Sequence, residues 1–118
     1  MERFIGRAEV LDEAGTLPLP DAIFGMVYFN AVNWTSGPRK QCDPITIEEL
    51  GLVCEPAVLA DWQTRAAAMF HWGMGPGDAC LRKDGSYERV KQKFTADHPG
   101  FGDISYDRAI GYGIHVMR

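Results

Sequence analysis

The sequence predicts a single α+β domain over residues 1–118: a small N-terminal antiparallel hairpin or sheet packed against three to four C-terminal helices. Three observations predict it. The run from Ala22 to Trp34 is rich in aromatic and β-branched side chains, which suit a pleated surface. The segment from Pro56 to Trp72 carries one apolar stripe at helical spacing. Two further amphipathic stretches follow it, each bounded by glycine or proline. At 118 residues the chain has room for one core.

The elements follow in order. Residues 3–11 read either as a short strand pairing with the next one or as a first helix using Phe4, Ile5, Ala8 and Leu11. Gly15, Pro18 and Pro20 punctuate a connection, and the two prolines argue against a helix there. In the Ala22–Trp34 run, Phe24, Met26, Tyr28, Val32 and Trp34 share one face at period two. Ile23, Val27, Phe29 and Ala31 share the other. A strand apolar on both faces is covered on both sides. Ser36-Gly37-Pro38 ends it.

Thr46-Ile47-Glu48-Glu49 is a capping box, with Ile45 and Leu50 as its hydrophobic staple and Gly51 as its stop. Pro56 suits the first turn of the long helix. Its stripe is Val58, Leu59, Trp62, Ala66, Met69 and Phe70, with Asp61 and Arg65 paired on the solvent side. Gly73, Gly75, Pro76 and Gly77 then read as a helix stop and connector. A helix from Ser86 to about Ala96 turns Tyr87, Val90 and Phe94 to one face. A last helix starts near Asp103 or Ser105 and points Tyr106, Ile110, Ile114 and Met117 inward. Gly111 and Gly113 imply close packing there or an early helix end.

Charge is unevenly placed. Residues 1–61 hold ten acidic and four basic side chains, and residues 62–118 hold six and eight; the total is −4. An acidic chain disfavours nucleic-acid binding through the whole-molecule field. Within the second half, Arg82, Lys83, Arg89, Lys91 and Lys93 form a basic run against Asp84 and Glu88. On a helix over residues 82–93 it would face phosphates or an acidic partner, although a solvated face is the ordinary fate of such a run.

Chemistry has few footholds. The soft ligands Cys42, Cys54, His71, Cys80, His98 and His115 lack the close pairing of structural zinc sites, so no metal and no cofactor is expected. Three cysteines do not make a full disulfide framework. His71, Asp78 and Cys80 offer a base, an orienting acid and a thiol, a weak catalytic constellation that requires the three to meet in space. Trp72 lies off the stripe of its helix, and with Met74 beside it forms a candidate partner anchor.

These features favour a small protein-interaction module of the regulator or inhibitor type, acting by surface complementarity. A small enzyme built on His71, Asp78 and Cys80 is the rival, and the balance leans away from it. Nucleic-acid binding through the basic run stands third. A homodimer would extend a sheet too small to stand alone. Glu2, Arg3, Arg7 and Glu9 interrupt any signal-peptide run, and no apolar stretch is long enough to span a bilayer, which together predict a cytoplasmic protein.

Overall fold

The computed structural model describes residues 7–35, 44–82 and 86–117, with backbone only for 33–35 and 117. It is all-helical and corrects the α+β expectation: no strand occurs among the described residues. Among the described residues, six helices run in the order α1 (Arg7–Ala14), α2 (Leu19–Thr35), α3 (Pro56–Trp72), α4 (Met74–Leu81), α5 (Tyr87–Asp97) and α6 (Asp103–Met117). A 3-10 turn, Glu48–Leu50, lies between α2 and α3.

The expected hairpin is α1 and α2. Ala22, Ile23, Phe24, Met26, Tyr28, Phe29 and Val32 are all buried. These positions go round the whole circumference of α2, which is packed by α1, α3 and α6. A helix apolar all round is a core helix. When nearly every residue is apolar, a period of two and a period of 3.6 fit the pattern equally well.

Pro18 and Pro20 do not keep the chain from becoming helical: Pro18 immediately precedes α2 and Pro20 lies in its first turn. The carbonyl of Pro18 accepts from the amides of Asp21 and Ala22, each at 3.0 Å. Leu19 and Pro20 thus occupy the first turn, where a missing amide hydrogen costs nothing. The ambiguous first segment is helical from Arg7 onward; Phe4 and Ile5 lie outside the described residues. So do Ser36, Gly37 and Pro38.

The capping box forms around a single turn. The Thr46 amide donates to Glu49 Oε1 at 3.0 Å, and the Glu49 amide donates to Thr46 Oγ1 at a longer 3.4 Å. Gly51 stops the turn at φ +68°, a left-handed conformation that favours glycine. Ile45 and Leu50 are buried. Two further ties hold the turn to the helices. Asn30 on α2 exchanges two hydrogen bonds with the Ile45 backbone, at 2.8 and 2.9 Å. Arg7 on α1 reaches Glu49 at 2.6 Å.

The Thr46 amide and then Arg7 hold the Glu49 carboxyl below its ordinary value. Its stabilising effect is therefore present above the unfolded pKa and is lost as pH falls through the lowered folded one. Thr46→Ala is expected to cost about 0.5 to 1 kcal/mol in chemical denaturation, the lower part of the N-cap range, because the hydroxyl bond is long and exposed.

α3 has the expected bounds. Ala66 and Met69 are fully buried, and Leu59, Trp62 and Phe70 are half-buried against the core. Val58 departs from the expected stripe and is exposed. Asp61 and Arg65 pair at 3.0 Å, and the Arg65 guanidinium covers the Trp62 ring at 4.9 Å. The other edge of Trp62 meets Phe101 at a centroid distance of 5.4 Å.

The glycine-rich segment is helical, not a loop. Pro76 has no amide hydrogen to give to the carbonyl of Trp72, and its ring would collide with that carbonyl, so α3 stops there. The chain restarts at once: the Gly77 amide donates to the Gly73 carbonyl at 3.1 Å. α4 then lies against α6 with backbone on backbone. A methyl on Gly77 would run into the Gly113 carbonyl carbon and the Ile114 amide, and one on Gly113 would run into the Gly73 carbonyl. A methyl on Gly73 would lie 2.6 Å from the Ala109 carbonyl oxygen. Of the two readings of Gly113, close packing is the one realised.

Ser86 caps α5 by accepting from the Arg89 amide at 3.2 Å. α6 starts after Gly102 and buries Tyr106 and Ile110, with Ile114 half-buried. The Tyr106 hydroxyl donates to the His98 carbonyl at 2.7 Å and accepts from the Phe101 amide at 3.3 Å, which ties the α5–α6 connection to the core. Arg108 on α6 grips Glu13 on α1 through two hydrogen bonds, at 2.7 and 3.1 Å.

Candidate functional site

Between α4 and α5 lies an open groove of about 620 Å3. Its existence follows from the sequence of α4. Gly73 and Gly77 seat that helix on α6, so Gly75, Pro76 and Ala79 face the other way and line the groove. None of these three fills space beyond a proline ring. A methyl built on Gly75 meets no other element of the fold within 4 Å.

The opposite wall comes from α5 in two rows at i, i+4 spacing. One row is Val90, Phe94 and His98; Phe94 is buried, and the His98 ring packs on it at 4.9 Å. The other row is Arg89, Lys93 and Asp97, with Lys93 and Asp97 paired at 3.4 Å. Trp72 joins the lining from the end of α3, and 60% of its surface is exposed. His71, beside it, sets its ring edge-on to the indole at 5.0 Å.

The groove therefore brings together three residues singled out from sequence: Trp72, Arg89 and Lys93. Met74 is also exposed but does not line it. Pro76 and Phe94, which the sequence marks only as punctuation and core, and His98, which it offers only as a soft ligand, also line the groove, and only the packing of α4 beside α5 gives them a shared surface.

The basic run does not form one helix face. Arg82 closes α4 and pairs with Asp78 at 3.1 Å. Lys83 lies outside the described residues. Lys91 turns toward α6 and bonds Asp107 at 3.0 Å and Asp103 at 3.2 Å; the Asp107 bond is the main reason its pKa is raised. Tyr87 donates to the same Asp107 at 2.5 Å, and burial foremost pushes its hydroxyl pKa up. Much of the charge counted in sequence is thus neutralised within the fold.

Asp78 is engaged by Arg82, and His71 is exposed in the last turn of α3. Among the described residues no hydrogen bond joins any two of His71, Asp78 and Cys80. The Cys80 thiol is half-buried, and burial raises its pKa, the opposite of what a nucleophilic thiolate needs. Cys54 is a free thiol, and Cys42 lies outside the described residues. No cluster of three His, Cys, Asp or Glu side chains able to hold a metal occurs among the described residues. Nor is any helix among them long and apolar enough to cross a membrane. No family model, curated protein or solved structure matches the chain.

Proposed function

We propose that the chain is a cytoplasmic protein-interaction module of the regulator or inhibitor type, which receives a peptide segment of its partner in the α4–α5 groove. The observation that carries this reading is the exposed Trp72 ring on an open groove whose floor is apolar. An aromatic side chain of about 150 to 250 Å2 with 60% of its surface open can gain on the order of 2 to 3 kcal/mol when covered, as an upper bound. Tryptophan is also the residue type most enriched among interface hot spots. The groove volume of about 620 Å3 lies within the range of about 300 to 1,000 Å3 typical of binding sites. Its length along α5, from Arg89 to His98, suits an extended or helical segment laid between two helices. The reading needs no cofactor, since complementarity of shape and charge does the work.

Selection of a displayed random-peptide library on the full chain tests it. Enriched peptides are expected to lose about tenfold or more in affinity when Gly75→Leu fills the groove or Trp72→Ala removes its aromatic lip, a loss of about 1.4 kcal/mol or more. The Cβ of leucine at position 75 meets no other element of the fold, and helical circular dichroism verifies that the variant stays folded. Failure to enrich any peptide, or peptides that bind Gly75→Leu as well as the natural chain, would sink the reading.

A further inference from the structure

We infer that the segment received by the groove carries a carboxylate next to an apolar side chain, and that Arg89 is the residue that recognises the acid. This rests on the docking reading above and adds the chemistry of the occupant.

Among the described residues, each of the other arginines and lysines already has a carboxylate. Arg7 holds Glu49, Arg65 holds Asp61, and Arg82 holds Asp78. Lys91 holds Asp103 and Asp107, Lys93 holds Asp97, and Arg108 holds Glu13. Arg89 has no such partner among the described residues, although the chain has 16 acidic side chains for 12 basic ones. Carboxylates are in surplus in the sequence, and the one cation left without one among the described residues lines the groove. A guanidinium offers a rigid fork of donors that matches a carboxylate through two parallel hydrogen bonds.

The charge on this wall also sets the size of the charge it accepts. The row of Arg89, Lys93 and Asp97 sums to +1. Lys93 is shared with Asp97 through an exposed pair at 3.4 Å. That balance fits one carboxylate. A phosphate dianion or a polyanion would meet Asp97 at the end of the same row. Val90 and Phe94 of the neighbouring row and Trp72 line the same groove, so an apolar side chain fits beside the acid.

The test uses one peptide from the selection above and its counterpart with the acid replaced by its amide. Both are titrated by fluorescence anisotropy against the full chain. The acidic peptide should bind the natural chain about tenfold more tightly than the amide. That difference should vanish in Arg89→Ala and reverse in Arg89→Glu for a peptide with lysine at the same place. Arg89 is exposed, so both variants keep the fold, and circular dichroism verifies it. Groove-dependent peptides that bind equally as acid and amide would overturn the role of Arg89 while leaving the docking reading intact. An acid preference that persists in Arg89→Ala would do the same. A phosphorylated peptide that binds far more tightly than the acidic one would overturn the choice of a carboxylate. Sedimentation of the chain alone is the remaining arm. A dimer abolished by Gly75→Leu would make a second copy the occupant and overturn the proposal.

Discussion

Gly77→Ala and Gly113→Ala are each expected to cost about 3 kcal/mol of stability, at the upper end of what overpacking usually costs. Intrinsic helix propensity acts the other way, because alanine in a helix interior is favoured over glycine by about 1 kcal/mol. The sign is decided by what the methyl meets. At both positions it meets backbone of the facing helix, the Gly113 carbonyl carbon and Ile114 amide for Gly77 and the Gly73 carbonyl for Gly113. Side chains can rotate away from an intruding methyl, but backbone cannot. α4 and α6 must separate, which opens the apolar contact along both. Gly75→Ala is the control, since it adds the same methyl to the same helix away from α6. The propensity gain is opposed there by the contact of a new Cβ with the Pro76 ring, so stability should change by no more than about 1 kcal/mol. Chemical denaturation followed by helical circular dichroism gives both values. Equal stability of Gly77→Ala and Gly75→Ala would show that α4 does not lie on α6 as described. The same experiment bears on function, because the seam with α6 holds Pro76 and Ala79 in place as one wall of the groove.

The helices that could be read from the sequence are those whose apolar side chains repeat on one face. α3 is bounded as its stripe and its first-turn proline imply, α5 starts just after Ser86, and α6 starts at Asp103, one of the two starts the sequence offers. α2 could not be read this way. Burial on every side removes the polar face that distinguishes a helical period from an alternating one. α4 was hidden for another reason. Its glycines and Pro76 are poor helix formers, and the helix is held by contact with α6, a tertiary term that local propensity does not contain. The candidate site was legible residue by residue and not as a surface. Trp72 stood out because it falls off the α3 stripe. Arg89 and Lys93 stood out only as members of a basic run. Which cation stays unpaired depends on Asp103 and Asp107 arriving from α6 to take Lys91, and nothing in the local sequence of α5 announces that.

Asp21→Ala is expected to destabilise the chain by about 2 to 4 kcal/mol, and Asp21→Asn by about 1 kcal/mol. Asp21 is 4% exposed, a carboxylate inside the first turn of α2. Its Oδ1 accepts from the Gly102 amide at 2.7 Å and from the Ser105 hydroxyl at 2.5 Å. One oxygen thereby serves two donors at the start of α6, where amide groups lack partners in their own helix. The positive end of the α6 dipole also favours a negative charge there. Alanine removes the acceptor and leaves one buried and one part-buried donor unsatisfied, each costing about 1 to 3 kcal/mol. Asparagine can place its carbonyl oxygen at the Oδ1 position, so both hydrogen bonds survive and only the charge is lost. The gap between the two variants therefore separates the hydrogen bonds from the electrostatic contribution. Denaturation midpoints of the two variants and of Ser105→Ala measure it, and Ser105→Ala should fall between them because it removes one donor. If Asp21→Ala proved as mild as Asp21→Asn, the tie between α2 and α6 would not exist in the form described. The consequence reaches the groove, because α6 carries the Gly113 contact that seats α4 and the two aspartates that hold Lys91 on α5. A chain weakened at Asp21 should lose peptide binding together with stability, with no change in the acid-over-amide preference of the molecules that remain folded.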